Sequence, residues 1–69
     1  MKLSARNVLP ATVKAVTPGA VDSEIIMELA PGVEVVSIIT KVSAEKLGLK
    51  RGAKVYAIIK APNVMIGVD

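Results

Sequence analysis

The sequence predicts a mainly β domain: an OB-like, partly open Greek-key barrel of five strands, with one short helix between strands 3 and 4. Three observations lead there. Short segments rich in Val, Ile and Thr alternate between apolar and polar residues, the period of a strand with one face buried. Most of the breaks between them carry Pro, Gly or Asn, residues that preset or tolerate turn geometry. The break after Thr40 is different, because Thr40 or Ser43 can cap a helix start, Glu45-Lys46-Leu47 are good helix formers and Gly48 closes them, a helix of barely a turn and a half.

Residues 7–16 form the first strand, with Leu9, Ala11, Val13 and Ala15 on one face and Pro10 marking an edge or bulge. Thr17-Pro18-Gly19-Ala20 turns the chain into a hairpin. Residues 21–29 alternate most cleanly: Val21, Ser23, Ile25, Met27 and Leu29 are expected inside, and Asp22, Glu24, Ile26 and Glu28 outside. After Ala30-Pro31-Gly32, residues 33–40 are apolar on both faces except at Glu34, which predicts a strand buried on both sides. Thr40 and Ser43 are both able to cap the helix that follows. Residues 48–52 make a basic turn bracketed by Gly48 and Gly52, and residues 54–60 form a fourth strand, again two-sided. Lys60-Ala61-Pro62-Asn63 is the last break. Residues 64–68 then read as a fifth strand, with Val64, Ile66 and Val68 on one face.

Sixty-nine residues make a single domain, 1–69, and a chain of this size buries only about 60% of its unfolded surface. No Cys or His is present, so disulfides and soft-metal ligands are excluded. The chain is 52% hydrophobic yet has one aromatic residue, Tyr56, so its Val, Ile, Leu, Ala and Met content exceeds what one small core can bury. Self-association into a homo-oligomer is the expected outlet. The N-terminus has no apolar export signal and no stretch reaches the roughly 18 apolar residues of a membrane span, which predicts a cytoplasmic protein with no membrane partner. A net charge of +3 favours anionic partners. Without His, Cys or an inward-facing pair of carboxylates, no catalytic machinery is visible, so no enzyme is predicted.

Three groups of hydrogen-bond donors stand where the apolar pattern breaks. They are Ser4-Ala5-Arg6-Asn7, the helix start with Thr40, Val42, Ser43 and Ala44, and Lys60-Ala61. Each has an ordinary structural explanation when taken alone: a turn, a cap, a strand end. Together they supply hydroxyls, amides, a guanidinium and an ammonium, with no acceptor-only side chain. That inventory suits a fully ionised tetrahedral oxyanion, since hydrogen phosphate must also donate and would meet no acceptor. It favours molybdate, tungstate or sulfate over phosphate.

The opening Ser4-Ala5-Arg6-Asn7, the Val13-Lys14 strand running to a Gly turn, Ile39-Thr40 through Ser43-Ala44 to Leu47-Gly48-Leu49, and Ile59-Lys60-Ala61-Pro62-Asn63-Val64 resemble the Mop family, the molbindins of Mop/TOBE-like type. The resemblance covers essentially the whole chain. It implies an intracellular store or buffer for molybdate or tungstate, with no organic cofactor, built from strand-exchanged dimers that assemble into a hexamer, a trimer of dimers. It further implies an oxyanion site at a subunit interface, where Ser4 and Arg6 of one subunit meet Thr40, Ser43, Ala44, Lys60 and Ala61 of its neighbour. Other members can carry Ser after the Lys. Ala61 stands here and leaves only its amide. A second oxyanion site near the threefold axis falls, on this resemblance, to Gly19, Ala20 and Val21. The alternative is an OB-type nucleic-acid module, which suits the basic charge but lacks the aromatic platforms that base stacking requires.

Overall fold

The computed structural model describes residues 1–69. It contains β1 (Asn7–Pro18), β2 (Asp22–Ala30), β3 (Val33–Thr40), α1 (Lys41–Lys46), β4 (Lys54–Ile59) and a 3-10 turn at Ala61–Asn63. The strands form one antiparallel sheet in the order β3-β2-β1-β4. β1 serves two ladders in succession. Its first half pairs with β4, from Asn7 opposite Ile59 to Thr12 opposite Lys54, and its second half pairs with β2, from Thr12 opposite Glu28 to Pro18 opposite Ser23. A sheet handed over in this way must curl, and the curl brings Ile39 of β3 and Ile59 of β4 into the lining of one cleft although those strands are opposite edges.

The register slips by one residue between Val13 and Ala15, placing a β-bulge at Lys14. A bulge inverts the facing of everything after it, which is why Val16, and not Ala15 as strict alternation predicts, packs on the core. That core is Ala11, Val13, Ile25, Met27, Ala57 and, from the helix, Ala44. The loop before β4 is stitched to the bulge by the Val13 amide donating to the Ala53 carbonyl (2.9 Å) and the Gly52 amide donating to the Val13 carbonyl (2.9 Å).

Three expectations are corrected. Residues 64–69 form no fifth strand in the single chain, and Met65, Ile66 and Val68 are 94, 93 and 93% exposed. A strand exists only where a ladder is offered, and after the 3-10 turn this segment meets neither free edge of its own sheet. The third and fourth strands are not buried on both sides either. Val35 and Ile39 pack on the core while Val36 (57%) and Ile38 (61%) are exposed, and Tyr56 and Ile58 of β4 are exposed likewise. One curled layer has an inside and an outside, and nothing in the chain covers the outside. Val21, expected inside, lies at the hairpin turn and is also exposed.

That turn is tight. The Gly19 amide donates to the Asp22 carbonyl at 2.7 Å, and a Cβ on Gly19 would sit 2.8 Å from the same oxygen. Gly19→Ala is therefore expected to destabilise the protein by about 1–3 kcal/mol, the range for overpacking, read as a lowered urea midpoint with unchanged slope.

Candidate oxyanion site

The helix start is organised by Thr40. Its backbone is extended (φ −66°, ψ 149°), and its hydroxyl oxygen accepts from the Ser43 amide at 3.0 Å while hydrogen-bonding the Ser43 hydroxyl at 2.8 Å. Two hydroxyls sharing one internal bond leave one hydroxyl proton free to donate outward. Of the first-turn amides, which have no partner inside the helix, that of Lys41 donates to the Val21 carbonyl (2.8 Å) and that of Ser43 to Thr40, leaving the amide of exposed Val42. Ala44 is buried against the core. The helix closes with Gly48 at φ +64°, its amide bonded to the Glu45 carbonyl and the Leu49 amide to the Ala44 carbonyl, a Schellman end. Thr40→Val is expected to cost about 1 kcal/mol through loss of the cap alone, measurable by thermal melting without any ligand.

The N-terminal group and the Lys60 group are neighbours. The β1–β4 ladder ends at Asn7 opposite Ile59, and the Asn7 side-chain amide locks that end by donating to the Ile59 carbonyl at 3.2 Å. Arg6 and Lys60 are each the next residue beyond that pair, and both are exposed. Neither has an acidic partner, since the one ion pair in the chain joins Lys14 to Glu34. The Glu34 hydrogen bond, and then its charge, hold the Lys14 ammonium above the usual lysine range, so that cation is committed elsewhere.

Thr40 lies at the other end of the sheet. It pairs with Asp22, next to the Pro18 end of β1, whereas Lys60 follows Ile59 at the Asn7 end. No hydrogen bond joins the two regions. Ile39 packs on the core, so Thr40, the next residue of β3, faces outward by strand alternation, while Arg6 and Lys60 lie just beyond the ends of β1 and β4 and are exposed. Groups on the outside of a curled sheet diverge. The Asn7–Ile59 pair thus brings the segment that ends in Arg6 beside the one that begins with Lys60, and no hydrogen bond links either to the helix start at Thr40, Val42, Ser43 and Ala44.

Gly19, Ala20 and Val21 adjoin the helix start through the Val21–Lys41 bond and the Asp22–Thr40 pair. Two residues escaped the sequence reading as parts of this arrangement. Asn7 was visible as a donor, but its role in tying two donor groups together depends on a partner 52 residues away. Asp22 was visible as an outward carboxylate, and only the β2–β3 register sets it beside Thr40.

A curled antiparallel sheet with one short helix, its polar donors mostly at the rims and its interior apolar apart from Ser23, defines a small OB-like β domain. The chain belongs to the TOBE domain family, whose model matches residues 3–66. Molybdenum-pterin-binding protein 3 of Clostridium pasteurianum is 47% identical over 66 residues, covering 96% of this chain and 97% of that protein. Among solved structures, a molybdate-binding protein from Sporomusa ovata superposes with a TM-score of 0.90 at 41% identity, over 99% of this chain and 100% of that one. The cytoplasmic molybdate-binding protein ModG, with molybdate bound, superposes with a TM-score of 0.93 at 48% identity, over 100% of this chain and 49% of that one. The relative is named for binding molybdenum-pterin and the two solved structures are of molybdate-binding proteins, and an OB-type nucleic-acid module is not favoured.

Proposed function

We propose that this protein binds molybdate or tungstate reversibly at a site shared between subunits, and serves as a cytoplasmic store or buffer without catalytic turnover. The carrying observation is the outward placement of donor groups at two separated ends of the sheet, which a second copy can complete and a single chain does not. Arg6 and Lys60 neutralise the dianion, and charge-assisted hydrogen bonds are roughly twice as strong as neutral ones. Ser4, Thr40 and Ser43 supply hydroxyls, and Ala5, Val42, Ala44 and Ala61 contribute backbone. A smaller anion such as sulfate leaves donors unpaired at roughly 1 to 3 kcal/mol each.

The assembly proposed is a strand-exchanged dimer, three of which form a hexamer. The open cleft between β3 and β4, about 490 Å³ and lined by Val35, Ile39, Val55 and Ile59 among others, is where the apolar residues of a partner's C-terminal segment would be buried. A second oxyanion position is proposed at Gly19, Ala20 and Val21.

Some relatives are named for molybdenum-pterin, and the reading here is for the oxyanion alone. Ser37 and the hydroxyl of Tyr56 are the side-chain polar groups lining that cleft, too few partners for the hydrogen-bonding edge of a pterin. The one aromatic residue, Tyr56, likewise offers no series of stacking platforms for nucleic acid.

Thermal melting of the assembled protein tests the proposal. Molybdate at about 100 times its Kd should stabilise by about 2.7 kcal/mol and raise the Tm, with phosphate giving little. No rise at protein concentrations where the oligomer forms would overturn it, as would protein from molybdate-supplemented cells that carries no molybdenum by elemental analysis.

A further inference from the structure

We infer that the Lys14–Glu34 ion pair is a strap that limits how far the sheet curls, holding the cleft between β3 and β4 open for a segment of a second copy. This rests on the exchanged assembly proposed above and adds a device that favours exchange over closure of the chain on itself.

The strap crosses a whole strand. Lys14 stands on β1 and Glu34 on β3 with β2 between them, so the bond in which the Lys14 ammonium donates to Glu34 Oε2 reaches over two strand spacings, roughly 10 Å. Both ends lie on the outer face, because their chain neighbours Val13 and Val35 pack on the core. Lys14 is the extra residue of the bulge: the register passes from Val13 opposite Met27 to Ala15 opposite Ile26 and leaves Lys14 without a partner on β2. When a sheet curls about an apolar interior, outward side chains on successive strands splay apart. A bond between two of them across β2 therefore opposes further curling.

The sheet has a reason to curl further. β3 and β4 are its free edges, and both line the cleft of about 490 Å³. Drawing them together would bury Val35, Ile39, Val55 and Ile59 more deeply and cover two rows of unpaired backbone groups. A chain closed in that way would have no room for a partner's Met65, Ile66 and Val68, which are exposed in the single chain. The strap acts on this balance more than on overall stability. An exposed ion pair is worth little in itself, and here it counts because it is made in the open form and broken in the closed one.

Other charges bear on the pair. Glu28 of β2 stands directly opposite Glu34, and Arg51, on the loop before β4, opposes the Lys14 charge that Glu28 favours. Lys14 thus also offsets repulsion between two opposed carboxylates, a second effect that substitution of Glu28 separates from the first.

Sedimentation over a range of protein concentrations tests the strap. Lys14→Met and Glu34→Gln, each checked for fold by circular dichroism, should raise the dissociation constant of the exchanged dimer about 2- to 25-fold, since each of its two chains loses an exposed pair worth about 1.5- to 5-fold. Lys14→Glu combined with Glu34→Lys should restore assembly. The gap between wild type and Lys14→Met should close near about 1 M salt, where the screening length falls to about 3 Å. Unchanged or tighter assembly in both single variants would overturn the strap. So would loss of the Lys14→Met effect in a Glu28→Gln background, which would make relief of the Glu28–Glu34 repulsion its whole cause. Wild-type protein that stays monomeric at every concentration would instead refute the exchanged assembly itself.

Discussion

Arg6→Ala is expected to weaken molybdate binding by about 10- to 100-fold, the loss of a charge-assisted hydrogen bond worth roughly 1.5–3 kcal/mol. The guanidinium is exposed and makes no ion pair in the chain, so its removal should leave the melting temperature without ligand almost unchanged. That contrast separates a ligand from a structural residue. Isothermal titration gives the affinity and a ligand-free melt gives the control. A purely structural oligomerisation domain predicts no change in either beyond charge. Lowered stability together with unaltered affinity would remove Arg6 from the site.

Deleting residues 64–69 is expected to have the largest effect on assembly. Met65, Ile66 and Val68 are almost wholly exposed in the single chain, while a 490 Å³ apolar cleft stands open between the sheet edges. Burying a large aliphatic side chain contributes about 1.5–3 kcal/mol, so three of them seated in a partner's cleft amount to much of the stability of a small domain. Analytical ultracentrifugation should find the deleted protein shifted from oligomer to monomer, with a depressed melting temperature. An unchanged sedimentation coefficient would rule out exchange of this segment. Ligand-induced stabilisation should disappear with the oligomer, because a site shared between copies is lost when the copies separate.

Much of the local structure was legible in the residues. Strand 3 runs over 33–40 as its Val and Ile content predicts and Gly48 closes the helix as expected, while the structure makes Thr40 the cap where the residues left Thr40 and Ser43 open. These are short-range outcomes of side-chain periodicity, a hydroxyl within reach of an amide three residues on, and a left-handed glycine. Strand 1 was legible only to Val13, because the bulge at Lys14 reverses facing without leaving a Pro or Gly at that position. Residues 64–68 have a strand's alternation and no strand's ladder. Alternation records what a segment could bury, and pairing depends on an edge that another part of the assembly must supply. The same holds for the outward apolar residues Val36, Ile38, Tyr56 and Ile58, which read as core and lie on the surface of the single chain.

The sequence by itself determined the types of donor, their grouping at three breaks and the exclusion of Cys- and His-based chemistry, because composition and nearest-neighbour spacing carry those facts. Only the tertiary structure decided which groups stand together. Arg6 and Lys60 flank the last pair of the β1–β4 ladder, Asn7–Ile59, while the β2–β3 pairing sets Thr40 opposite Asp22, beside the Pro18 end of β1. Such placement rests on pairings between residues dozens of positions apart, which no local pattern encodes.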